Sequence, residues 1–143
     1  MEVSLVRKRL KNAIERSREQ AQQRRQDVAE AEKAYQTFLD EVATPLVCQL
    51  ANVLKVENYA FTVFTPGGGG LRLASDRTRD DYVEFALDGT GSRPQVVGRI
   101  RQVRGSRTLE DERPIKPGAA VEDLTDEDVL DFLLKALEPF LER

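Results

Sequence analysis

The chain has 143 residues, 33% of them charged, with a net charge of −3, one cysteine and no histidine. That length can bury a real core without disulfides or metals, and a lone cysteine cannot form an intrachain bridge. The missing histidine removes the commonest general base and the commonest zinc ligand; carboxylate, lysine and oxygen-ligated magnesium chemistry stay open, but the balance leans away from an enzyme, and no cofactor or metal is expected.

Charge is unevenly spread. Residues 1–25 hold eight basic and three acidic side chains, for +5, whereas residues 109–143 hold four against eleven, for −7. A basic start and an acidic end can attract one another or serve separate partners. Arg7, Lys8, Arg9 and Lys11 follow the start closely, so no apolar leader is read there, and no run reaches the ~18 apolar residues of a membrane span. The expectation is a protein of the cytoplasm with no membrane partner.

Residues 1–44 contain neither glycine nor proline, so nothing tells this stretch to stop being a helix. A heptad runs through it. Position a is taken by Arg7, Ile14, Ala21, Val28, Tyr35 and Val42, and position d by Val3, Leu10, Ser17, Arg24, Ala31 and Phe38. Nine of these twelve are apolar: Val3, Leu10, Ile14, Ala21, Val28, Ala31, Tyr35, Phe38 and Val42 form the predicted oligomer interface. A helix of this length is roughly 60 Å long at ~1.5 Å per residue. The remaining residues, 45–143, make a body only about 30–35 Å across. Half the helix must project, and a hairpin would need a turn within the Ser17–Asp27 stretch, which has no glycine, proline or asparagine.

The expected partner is therefore a second copy, or an unknown protein that takes the arm. Parallel pairing would stack Arg7 on Arg7 and Arg24 on Arg24. An antiparallel register pairing residues whose numbers sum to 45 matches Leu10 with Tyr35, Arg7 with Phe38 and Val3 with Val42. It also sets the basic start against the acidic stretch 26–44.

Thr44-Pro45 reads as an N-cap and first helical residue, opening a second helix or a kinked continuation over about 45–55. Cys48 lies in the apolar run of Leu46, Val47 and Leu50 and is expected to be a buried small hydrophobe. Four strands follow, Tyr59–Thr65, Leu71–Leu73, Tyr82–Asp88 and Val96–Arg104, joined as an antiparallel meander. Pro66 and the following four glycines make a hairpin tip, and Asp88–Pro94 makes a turn by composition. The tip lacks the Gly-Lys-Ser/Thr of a phosphate loop and joins two strands. The apolar phase of the fourth strand breaks after Ile100, which predicts a bulge near Gln102. Gly105–Leu124 is polar and holds Pro114 and Pro117, so it reads as a long connection.

Thr125 followed by Asp128 fits a capping box, and a helix then runs from Asp126 towards Leu141. Val129, Phe132, Leu133, Ala136, Leu137 and Phe140 form its core stripe, with Leu130, Leu134 and Leu141 widening it. Such a helix needs cover on two sides, from the sheet and from a neighbouring helix or another protomer.

The fold class is α+β: a long helical arm (1–44), then a body (45–143) of a short helix, a four-stranded meander and a C-terminal helix packed on one sheet face. The functional expectation is a non-enzymatic, oligomerising interaction module or adaptor. The alternative is nucleic-acid or anion binding by Arg93, Arg99, Arg101, Arg104 and Arg107, which fall in fifteen residues without an acid. Pairing of these arginines with Glu110–Glu112 is the simpler use of them. Asp126–Asp128 are read as helix capping, and Asp76–Asp81 as a charged loop.

Overall fold

A computed structural model describes residues 1–67, 69–91 and 93–142. Gly68 of the expected tip and Ser92 of the expected turn lie outside the described residues.

Helix α1 spans Val3–Phe38 and α2 spans Thr44–Val56, with a π-helical segment, Leu39–Ala43, between them. The backbone stays right-handed helical through the junction, so the two helices form one rod of roughly 80 Å at ~1.5 Å per residue. Thr44 is thus not an N-cap. Its N–H donates to the Leu39 carbonyl five residues back, and Pro45 follows where a missing N–H can be absorbed by the widened turn. The rod begins without a side-chain cap at Glu2.

Strands β1 (Phe61–Phe64), β2 (Leu71–Ser75), β3 (Tyr82–Asp88), β4 (Gln95–Arg104) and β5 (Arg107–Pro114) form one antiparallel sheet in the order β1-β2-β3-β4-β5. The sequence pattern supplies four of them. The fifth occupies what reads as a connection, because its residues are exposed almost throughout and carry no apolar alternation. An edge strand rich in charge is a known defence against edge-to-edge pairing. Its turn is two residues long, with Gly105 at φ +61°, the position where a II′-type hairpin needs glycine.

The predicted bulge near Gln102 is absent. The β4–β5 register is unbroken from Val97↔Pro114 to Arg104↔Arg107, so Gln102 faces inward and is buried while Val103 faces out. The phase break in the sequence reflects a polar residue in an inner position, with no extra residue in the strand.

The inner sheet face carries Phe61, Leu71, Leu73, Val83, Phe85, Val96 and Ile100. Helix α2 lies over β1 and β2, and α3 (Asp126–Leu141) packs on β3. Phe132 of α3 sits directly against Gly98, where a Cβ would overlap the ring. Glycine is required there by close approach. From the rod, Tyr35, Phe38, Leu39, Ala43, Val47, Ala51 and Leu54 complete the core. Cys48 is exposed on α2, on the side away from this packing, so the expectation of a buried thiol is corrected. Thr125 caps α3 as expected: its hydroxyl accepts from the Asp128 N–H at 3.2 Å, and its own N–H donates to Asp128 Oδ2 at 3.1 Å. No helix among the described residues is long and apolar enough to cross a membrane.

Candidate functional site

The arm. The nine apolar heptad residues divide into two groups. Val3, Leu10 and Ile14 are 74%, 59% and 40% exposed, on a stretch whose first twenty residues are all solvent-facing. Ala21 and Val28 are half-buried. Ala31, Tyr35 and Phe38 are buried, and Val42 packs against the same core. The reason is geometric. The rod meets the body near Val28, which lies beside Gly89, and near Ala31, which lines a cleft with Pro94 and Val121. Beyond that point the stripe that would face another helix faces the sheet instead.

This corrects the register in which residue numbers sum to 45. Leu10, Arg7 and Val3 would need Tyr35, Phe38 and Val42 as partners, and those side chains are spent on the protein's own core. What remains unpartnered is a projecting segment roughly 37 Å long at ~1.5 Å per residue, basic along its length, with Val3, Val6, Leu10 and Ile14 on one stripe.

The arginine strand. The outer sheet face carries a cross-strand row, Arg72–Glu84–Arg99–Glu112, in which sign alternates over four strands. Its ends close as ion pairs, Arg72–Glu84 at 3.2 Å and Arg99–Glu112 at 3.5 Å. The next row sets Tyr82, Arg101 and Glu110 side by side, with Arg101 3.7 Å from Glu110 and the Arg72 guanidinium 4.1 Å over the Tyr82 ring. Exposed pairs of this kind contribute about 0–1 kcal/mol each. Their larger effect is on register, since β5 has almost no apolar side chain to hold it in phase. Arg93 lies before β4, where it lines a cleft with Asp27 and Glu30, while Arg104 and Arg107 flank the turn at the far end. Arg93 and Arg104 are eleven residue steps apart along the chain, roughly 35 Å if extended. The five arginines therefore do not converge on one site.

The glycine-tip cleft. A cleft of about 490 Å³ is lined by Val28, Glu32, Tyr35 and Gln36 of the rod, by Gly67, Gly69 and Gly70 of the tip, and by Glu84 and Arg99 of the sheet. It mixes both signs of charge, and its two charged sheet residues are already engaged in the outer-face row. Tyr35 at its floor is 7% exposed, and its hydroxyl has no hydrogen-bond partner among the described residues. Burial, reinforced by the Glu84 carboxylate, pushes that hydroxyl up to about 12.

The carboxylates. Asp81, read from sequence as part of a charged loop, is 1% exposed and accepts from the Val103 N–H at 2.7 Å. It ties the β2–β3 loop to the C-terminal end of β4. No sequence pattern marks it, because a single aspartate before a strand is ordinary. Among the described residues no cluster of three or more cysteine or acidic side chains could hold a metal ion.

No protein-family model, curated protein or solved structure matches the chain.

Proposed function

We propose that the protein is a non-enzymatic interaction module of the cytoplasm that self-associates as a homodimer through its projecting helix, and that can serve as an adaptor for a further protein. One observation carries this reading: Val3, Leu10 and Ile14 form an exposed apolar stripe on a helix that leaves the body. Full burial of such a side chain is worth about 1.5–3 kcal/mol, and a helix this polar gains most of its stability from packing rather than from propensity. The exposed thiol of Cys48 fits a reducing compartment. Nucleic-acid binding by the arginine strand has less support, because Arg99 and Arg101 each face a carboxylate and Arg93 lies at the opposite end of β4 from Arg104 and Arg107.

The test is the mass of the full chain in solution by light scattering or sedimentation, across the micromolar range. The expected result is a dimer that dissociates in a Leu10→Glu, Ile14→Glu double variant. A wild-type chain that stays monomeric throughout that range would sink the proposal.

A further inference from the structure

Helix α3 has a second face. Along one flank of its core stripe lie Leu130, Leu134 and Leu141; Leu134 is 48% exposed, Leu130 is half-buried, and Leu141 is half-buried and touches the core with its inner side. Asp131 and Glu138 stand exposed along one edge of that face and form no ion pair among the described residues. The arm presents the converse: an apolar stripe with Lys11 and Arg18 along one edge, both exposed.

The spacings of the two stripes match when one is reversed. From Ile14 to Leu10 is four residues and from Leu10 to Val3 is seven; from Leu130 to Leu134 is four and from Leu134 to Leu141 is seven. Each stripe spans roughly 16 Å at ~1.5 Å per residue. An antiparallel alignment then stacks Ile14 on Leu130, Leu10 on Leu134 and Val3 on Leu141. The same alignment brings the Lys11 and Arg18 edge alongside Asp131 and Glu138, because antiparallel helices set like-lettered flanking positions together. The other flank of the arm, Val6 and Ala13, is apolar and faces the rest of the body.

The arm cannot reach its own α3. It is the straight continuation of the rod, with no break between Val3 and Phe38. Two arms cannot pair comfortably either, since antiparallel pairing sets the Lys11 and Arg18 edge of one against the same edge of the other. From these constraints we infer that the arm of one protomer docks antiparallel along the Leu130–Leu134 flank of α3 in a second copy of this chain. Exchange of both arms closes the assembly as a two-fold dimer. This rests on the reading of the arm as a device for self-association and says where it lands.

The test uses full-length chains with Cys48→Ala as background. Leu10→Cys in one chain and Leu134→Cys in the other, mixed and oxidised, should give a heterodimeric disulfide in high yield. Leu10→Cys mixed with a surface control, Asn52→Cys on α2, should not. In parallel, Lys11→Glu with Arg18→Glu should weaken self-association by about tenfold, the effect of four pairs, two at each docking site, well within the surface range. Asp131→Lys with Glu138→Lys should do the same, and an equimolar mixture of the two variants should recover it. If the Leu10→Glu, Ile14→Glu variant abolishes the dimer while the Leu134 disulfide fails and the α3 charge reversal changes nothing, self-association stands and this docking site is wrong. Binding of the arm to an unrelated acidic helix with no self-association overturns both.

Discussion

The two halves of the helical rod carry the same heptad and meet opposite fates. From Ala31 to Val42 its heptad residues sit in or against the core, with Phe38 4% exposed; before Ala21 they sit in solvent, with Leu10 59% exposed. Pattern alone does not separate them. What does is reach: the body is shorter than the rod, so one end of a continuous stripe has a sheet beneath it and the other has none. A heptad is a statement that a face will be covered, and it is silent about what covers it.

The comparison can be broken or sharpened by substitution. Its largest expected effect is in the covered half. Phe38→Ala should cost about 3–5 kcal/mol of unfolding free energy, read by denaturant melts; a loss below about 1 kcal/mol would mean that the rod is not part of the core. Next comes the contrast between helix starts. Helix α3 opens on a reciprocal cap, whereas the rod opens on Glu2 with none. Thr125→Ala should therefore destabilise by about 1 kcal/mol. The same cap has a pH signature. The hydrogen bond from the Thr125 N–H holds the Asp128 carboxyl below its usual value. Its folded pKa lies below its unfolded one, so the contribution is complete above about pH 4 and is lost as pH falls through the lowered value. In Asp128→Asn that part of the acid dependence should vanish.

Smaller effects follow at the junction of the halves. Tyr35→Phe removes a buried hydroxyl that has no partner, and stability should stay level or rise by up to about 1 kcal/mol. Because the folded pKa of Tyr35 lies near 12 and the unfolded value near 10, its neutral form supports folding below pH 10. That support fades as pH rises from 10 to 12. One of the three tyrosines should titrate late by ultraviolet absorbance, and the late step should disappear in the variant. Smallest of all, Leu10→Ala in the uncovered half should leave the unfolding free energy of the monomer within about 0.5 kcal/mol. A large loss there would show that the arm is covered by its own body after all.

Local rules were enough wherever the determinant was local. The absence of glycine and proline from residues 1–44 announced the unbroken helix. The alternation of Val83, Phe85 and Leu87 announced β3 to the residue, and Thr125 with Asp128 announced the start of α3. Each depends on neighbours within a turn or two of chain. The rest was settled between segments distant in sequence. Strand β5 takes its register where Glu110 and Glu112 meet Arg101 and Arg99 of β4, a pairing that carries no apolar rhythm to read. Gln102 faces inward because its neighbours hold β4 in register. Asp81 is buried because Val103, twenty-two residues on, offers it an N–H. Tyr35 and Phe38 left the predicted seam because the sheet lies under them, and Cys48 stayed outside because the core takes the opposite side of α2. Periodicity can tell a chain which of its faces to hide; which surface does the hiding is decided when remote segments compete for the same apolar area.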